Sequence, residues 1–217
     1  MNNKGIIVSG GFIDDSFAAK FIEESNASCI IGVDSGLHFL QHNQIVPTHI
    51  VGDFDSVQPE VIAQYKKCSN ISIHELHPVK DASDTEVALR LALDLGVKEL
   101  WILGATGSRL DHVMANIQIL KIALDAGVKA WIVDTCNRIS LCENEIRILK
   151  EDSFGAYFSL FPFGDEVKDV SIQGAKYPLD KYHMTNNESR CVSNEICDSE
   201  VIITFGEGIM ILMETRD

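Results

Sequence analysis

The stretch HIVGDFDS, His49 to Ser56, runs from an apolar, strand-like segment straight into two carboxylates set either side of one phenylalanine. The same punctuation recurs along the first 134 residues. Ile6-Ile7-Val8 leads into Ser9-Gly10-Gly11, and Cys29 to Val33 ends at Asp34-Ser35-Gly36. Glu99 to Leu103 runs into the glycine-containing loop 104–111, while Ile71-Ser72-Ile73 and Ala130 to Val133 read as further strands. Short strands that are apolar throughout, separated by helical stretches such as the one bearing Ala18, Phe21 and Ile22, are the mark of a parallel sheet covered on both faces. Ser83-Asp84-Thr85-Glu86 fits a capping box, predicting a helix with Val87, Leu91 and Leu95 along one face and Gly96 at its end. Asp111 is placed to cap a second helix, with Met114, Ile117 and Leu124 on its apolar face and Gly127 at its end.

Beyond about residue 137 the pattern changes. Phe154–Phe161, Val167–Ile172, Val201–Phe205 and Ile209–Met213 read as strands joined by turns such as Pro162-Phe163-Gly164 and Gly206-Glu207-Gly208, with no helical stretch between them. This predicts a small antiparallel sandwich or barrel behind the α/β half.

Composition narrows the function classes. The chain has 217 residues, 46% hydrophobic and 23% charged, which is the balance of a globular protein with a real core. No apolar run approaches the roughly 20 residues of a membrane span, and the opening MNNKGIIVSGG reads as a first strand, not a signal peptide. A cytoplasmic protein that does not work at a membrane is expected. The formal net charge of −14 argues against a nucleic-acid partner, which would require clustered Lys and Arg. It leaves room for a small phosphorylated substrate neutralised locally. Six cysteines without a C-x-x-C pair read as reduced thiols, and His74-Glu75-Leu76-His77 reads as a surface turn with little metal-site character.

The acids fall where chemistry is expected. In an open parallel sheet the turns after the strands gather at the carboxyl edge, where ligands bind. If Asp53-Phe54-Asp55 is extended, both carboxylates face one side with Cα atoms on the order of 6.6 Å apart. Two such charges repel by roughly 3 kcal/mol at an effective dielectric of about 20, so a compensating cation is expected. Oxygen ligands from one or two carboxylates plus substrate phosphates suit Mg²⁺, and Asp84 is placed to add a third carboxylate. Lys80 and Arg109 supply positive charge. Arg109, in a loop with Gly104 and Gly107 before a helix N-terminus, suits either phosphate oxygens or an ion pair with Asp111. Any one of these motifs also has a purely structural reading, as a turn or a helix cap. Their number on one edge favours a Mg²⁺ and phosphate site.

Taken in order, VDSG (33–36), GDFDS (52–56), KDASDTE (80–86) and GATGSRLDHVMANI (104–117) resemble thiamine pyrophosphokinases. In the second half SLFPFGDEV (159–167), GAKYPL (174–179), VSNE (192–195) and TRD (215–217) resemble that family's thiamine-binding domain. The resemblance implies an α/β fold: a Rossmann-like, three-layer parallel-sheet domain over 1–136 that binds ATP and Mg²⁺, then an antiparallel β-sandwich over 137–217 that binds thiamine. It implies attack of the thiamine hydroxyl on the β-phosphorus of ATP, giving thiamine diphosphate and AMP. By the same analogy Asp53, Asp55 and Asp84 hold Mg²⁺, and Arg109 and Lys80 steady the phosphates. Asp81 and Asp111 line the site, and Asp34, Ser35 and Gly36 form the nucleotide-side loop. Ser193 and Asn194 meet the aminopyrimidine, and a homodimer with active sites at the subunit interface is expected. A carboxylate would take the hydroxyl proton, Asp84 or Asp111.

Two departures are visible. Asp34-Ser35-Gly36 stands where many members have Asp-Gly-Gly. The segment 188–197 has no aromatic beside Ser193-Asn194, so either Tyr177, Tyr182 or His183 substitutes in stacking on thiamine or stacking is absent. The residues alone also fit a Mg²⁺-dependent phosphohydrolase or nucleotidyl transferase, or a non-catalytic sensor of thiamine or nucleotide.

Overall fold

Ile6, Ile7, Ile31, Ile50, Leu100, Ile102 and Ile132 have no exposed surface, because each lies on a strand covered from both sides. The computed structural model of the chain describes residues 3–55, 57–77 and 81–217. It divides into two units, Met1–Thr135 and Cys136–Asp217.

The first unit alternates strand and helix: β1 (Lys4–Val8), α1 (Asp15–Ser25), β2 (Cys29–Val33), α2 (Gly36–His42), β3 (His49–Gly52), α3 (Pro59–Tyr65), β4 (Ser72–Glu75), α4 (Asp84–Asp94), β5 (Glu99–Leu103), α5 (Leu110–Asp125) and β6 (Lys129–Val133). The strands lie in the order β6-β5-β1-β2-β3-β4, every adjacent pair parallel. The chain winds outward from β1 to β4, then returns to the other side of β1 for β5 and β6. Crossovers between parallel strands are right-handed, so this reversal puts α1 to α3 on one face and α4 and α5 on the other. It also makes the gap between the ends of β1 and β5 the switch point of the sheet, where ligands bind in such folds.

The helices differ from expectation in detail. Ser83 caps α4, its Oγ accepting the Glu86 N–H at 3.2 Å, but the Glu86 carboxylate binds Arg90 and does not turn back to complete the box. The buried face of α4 is Ala88, Leu89 and Ala92, not Val87, Leu91 and Leu95. Small alanines let the helix lie close on the sheet, and Leu95 falls past the last turn, where it is exposed. In α5 the N-cap position belongs to Arg109. Asp111 sits in the first turn, so it is not the cap, and of the expected apolar face Ile117 is buried while Met114 is exposed. His74 belongs to β4 instead of a turn and stacks on His49 of β3, with ring centroids 5.7 Å apart.

The second unit contains β7 (Asn137–Cys142), β8 (Ile146–Leu149), a 3-10 turn (Lys150–Asp152), β9 (Tyr157–Pro162), β10 (Glu166–Gln173), β11 (Leu179–Thr185), β12 (Asn194–Glu195), β13 (Glu200–Thr204) and β14 (Met210–Thr215). Two antiparallel layers, β12-β9-β14-β7 and β11-β10-β13-β8, close over one core. Phe158, Leu160, Met210 and Leu212 from one layer pack with Val167, Val170, Ile172, Val201 and Ile203 from the other. Burying each such side chain is worth roughly 1.5–3 kcal/mol. None of the six cysteines forms a disulfide, and among the described residues no helix is long and apolar enough to cross a membrane.

Candidate active site

The site is organised by the turn after β1, which Gly10 and Gly11 keep free of side chains. The Ser9 N–H donates to the Leu103 carbonyl (2.8 Å), the Gly11 N–H to that of Gly104 (2.7 Å) and the Phe12 N–H to that of Thr106 (2.8 Å). Gly104 takes a φ of +65°, and a Cβ there would overlap the Ser9 carbonyl. The β5 loop therefore lies directly on the β1 turn. Asn116 of α5, buried, holds that loop from behind by donating to the Ala105 carbonyl at 2.7 Å. On the other flank the Ser35 hydroxyl donates to the Gly10 carbonyl at 3.2 Å, and a Cβ on Gly36 would overlap the Val8 carbonyl. The Ser9 hydroxyl meets that of Thr85 in α4 at 2.9 Å. Turns after β1, β2 and β5 and the start of α4 are thus knit together at the switch point. Ser9, Gly10, Gly11, Thr85 and Asn116 were not singled out as site residues. A pair of glycines directly after the first strand was the available signal.

The acids join this framework one by one. Asp34 follows β2 with a left-handed φ of +44°, its N–H donating to the Val51 carbonyl at 3.3 Å. Its Oδ1 is shut off from solvent and lies against Gly52, where a Cβ would overlap it. Gly52 therefore lets the Asp34 carboxylate reach the end of β3, immediately before Asp53. The extended geometry expected for Asp53-Phe54-Asp55 is not formed. β3 stops at Gly52, Phe54 takes a φ of +59° with its ring buried, and the Asp53 carboxylate accepts the Asp55 N–H at 3.2 Å. Burial of the Phe54 ring is what turns the chain, so strand alternation no longer sets where the two carboxylates point. Asp55 is exposed and Asp53 half-buried. Asp84 is the first residue of α4, half-buried with Oδ1 shut off from solvent, and Asp81 is exposed. Lys80 and Ser56 lie outside the described residues.

Of the two roles open to Arg109, the ion pair with Asp111 is formed. Nε and Nη2 donate to the two carboxylate oxygens at 3.2 and 2.6 Å, with both side chains well exposed. That hydrogen bond, helped by the His112 N–H, holds the Asp111 carboxyl down at about 2.

In the second unit Ser193 is exposed, with a left-handed φ of +56°, its N–H donating to the Ser159 hydroxyl at 3.0 Å. Asn194 is buried. Its Oδ1 accepts the N–H groups of Tyr177 and Glu195, both at 3.0 Å, and its Nδ2 donates to the Tyr177 carbonyl at 2.9 Å. The side-chain amide grips the backbone N–H and carbonyl of one residue, Tyr177. It thereby brings GAKYPL and VSNE side by side and fixes Tyr177, whose side chain is 58% exposed. Each of the three aromatic candidates has a polar neighbour, the Lys176 Nζ lying 5.6 Å from the Tyr177 ring centroid. Arg190 covers the Tyr182 ring at 4.7 Å while the Tyr182 hydroxyl donates to Glu188, and His183 Nε2 contacts Glu166 at 2.8 Å.

Residues 22–132 match the family model for the catalytic domain of thiamin pyrophosphokinase, and residues 143–210 match that for its vitamin B1 binding domain. The chain is 32% identical to thiamine pyrophosphokinase of Bacillus subtilis over 187 residues, 86% of this chain and 87% of that one. This chain belongs to the thiamine pyrophosphokinase family. The crystal structure of the Bacillus subtilis enzyme superposes with a TM-score of 0.87 at 30% identity, over 99% of each chain. That of the Geobacillus thermodenitrificans protein does so with 0.83 at 27% identity, over 99% of this chain and 98% of that one.

Within the thiamine pyrophosphokinase framework the donor set suits Mg²⁺ shared with a substrate. Asp53, Asp55 and Asp84 offer hard oxygen donors, the kind Mg²⁺ takes in ones and twos alongside phosphate oxygens. Among the described residues no three acidic, histidine or cysteine side chains are gathered into a ready-made cage. Ser35, where many thiamine pyrophosphokinases carry glycine, fills the space over Gly10: a Cβ on Gly10 would overlap its hydroxyl.

Proposed function

We propose that the chain carries out its family's reaction with the carboxyl edge of the first unit as the nucleotide site and the Asn194–Tyr177 clamp as the base of the vitamin site. As a thiamine diphosphokinase it transfers the pyrophosphate of ATP to the hydroxyl of thiamine, giving thiamine diphosphate and AMP. The observation that carries the residue assignment is the knitting of loops onto the β1 turn at the switch point, which draws Asp34, Gly52 and the start of α4 toward one edge.

Asp53, Asp55 and Asp84 are the residues that would hold Mg²⁺, which when bound neutralises charge on the phosphates. Arg109 is exposed and bound to a single carboxylate, so a phosphate can take the place of Asp111 on its guanidinium fork. Lys80 adds a second cation, Asp34, Ser35 and Gly36 border the nucleotide, and Asp81 lines the rim. Phosphoryl-type transfer requires positioning and charge neutralisation more than a protein nucleophile. A carboxylate, Asp84 or Asp111, takes the hydroxyl proton. In the vitamin site Tyr177 offers an exposed aromatic ring, with the Lys176 ammonium 5.6 Å from its centroid, and Ser193 a hydroxyl, while Asn194 acts by fixing Tyr177.

The working unit is a homodimer, each active site combining one chain's α/β unit with its partner's β unit. Phe12, Leu110 and Met114, at 62, 73 and 54% exposure, support it as apolar surface available to a second copy. Light scattering after size exclusion checks the mass.

The reaction is tested by phosphorus NMR of the full chain with ATP, Mg²⁺ and thiamine. AMP and thiamine diphosphate are expected together, only when both thiamine and metal are present. ADP and inorganic phosphate in their place would sink the assignment.

A further inference from the structure

We propose that the Ser9–Thr85 hydroxyl pair is a positioning contact, locking the first turn of α4, and Asp84 with it, to the end of β1. The inference rests on the reading of Asp84 as a metal-holding residue. Ser9 is 3% exposed, and its backbone is fixed from the β5 side by the bond to Leu103 and the close approach of Gly104. Its hydroxyl reaches Thr85 across 76 residues of sequence. Thr85 directly follows Asp84, and capping of α4 is already supplied by Ser83, so the helix terminus does not call on the Thr85 hydroxyl for its own N–H groups. The buried residues of α4 are the apolar Ala88, Leu89 and Ala92. Apolar contacts of that kind hold the helix at a distance from the sheet, but they are non-directional and leave its rotation about its own axis loosely set. At 3.6 residues per turn a small rotation of the helix redirects the Asp84 carboxylate. A hydrogen bond, which weakens steeply when misaligned, removes that freedom.

The experiment is titration of the full chain with the Mn²⁺ complex of a non-hydrolysable ATP analogue, read by the enhancement of water-proton relaxation that distinguishes the protein-bound complex from the free one. Half-saturation of turnover by Mn²⁺ is followed in parallel on ATP and thiamine. Asp84→Asn checks the underlying reading and should weaken binding of the Mn²⁺ complex at least tenfold. Ser9→Ala and Thr85→Val should each weaken it about fivefold, the value of one net hydrogen bond. The double variant should match either single one, and Ser9→Thr should restore binding. Half-saturation by Mn²⁺ should rise while kcat at saturating metal falls less. Parent-like binding of the Mn²⁺ complex in Ser9→Ala, alongside a weakened Asp84→Asn, would overturn the positioning role and leave the acidic site standing. Parent-like binding in Asp84→Asn would instead remove the reading on which the role depends. Additive losses in the double variant would also count against the pair, since they mean the two hydroxyls act separately.

Discussion

Two arginine–carboxylate forks in this chain share one geometry and differ in surroundings. Arg109 grips Asp111 through Nε and Nη2, as Arg138 of β7 grips Glu214 of β14 at 2.7 and 2.6 Å. The first pair is 69% and 65% exposed, whereas Glu214 in the second is 6% exposed. Around the buried fork the Phe154 N–H donates a further bond to Glu214 at 3.3 Å, and the guanidinium groups of Arg138 and Arg216 lie over the Phe154 ring. Among the described residues the exposed fork has no such surroundings beyond the Asp111 contact with its neighbour His112. Identical hydrogen bonds therefore have different consequences. Where water and ions can replace a partner, the pair is open to exchange and its net contribution is small. Where they cannot, loss of one partner strands a charge.

The largest expected effect comes from breaking the buried member. Arg138→Met leaves Glu214 without its counter-charge between two strands, and should destabilise the full chain by about 3–5 kcal/mol. Urea unfolding measures this, and a change below 1 kcal/mol would mean that water reaches Glu214 after all. Next is Arg109→Met, which should leave the urea midpoint where it was and lower kcat roughly a hundredfold, the usual cost of one charge-stabilising donor. A shifted midpoint with unchanged kcat would reverse the contrast and make Arg109 a structural residue.

Asn194→Ala sharpens the comparison with a neutral clamp. It removes the bonds that hold the backbone N–H and carbonyl of Tyr177, at a cost of about 1–3 kcal/mol for buried groups left unmet. The KM for thiamine should rise while that for ATP stays put. An equal rise in both would indicate general loosening and not loss of a vitamin-site support.

The strand ends and the order of acidic turns were readable because apolar runs and glycine breaks are local signals. So was the change to an antiparallel second half, although β7, β8, β11 and the two-residue β12 lie below what periodicity resolves. What escaped was set by packing. Nothing in GDFDS reveals that the Phe54 ring drops into the core and carries the backbone to a positive φ. The α4 face moved onto Ala88 and Ala92 because the sheet demands close approach there. Asn194 was marked as a vitamin contact, yet its amide is committed to Tyr177, 17 residues away, a pairing visible only once the two segments lie side by side. Arg109 had two roles open to it, and only coordinates could show that Asp111 lies within reach.

The smallest effect separates the two forks by pH. The Asp111 carboxyl is lowered from 3.8 to about 2 by the Arg109 bond, so its ionised form favours the folded arrangement. The sign follows: this contribution is complete above about pH 4, the ordinary value for an unfolded aspartate, and is lost as pH falls toward 2. Nothing in the pair titrates near neutrality, so activity between pH 6 and 8 should not report on it. Carbon-detected NMR of the Asp111 carboxyl should place its midpoint about two units below an ordinary aspartate. Adding ATP with Mg²⁺ should return that midpoint toward the ordinary value, because a guanidinium engaged by phosphate no longer holds the carboxylate. If the midpoint stays low in the presence of nucleotide, Arg109 has not exchanged partners, and the exposed fork is as fixed as the buried one.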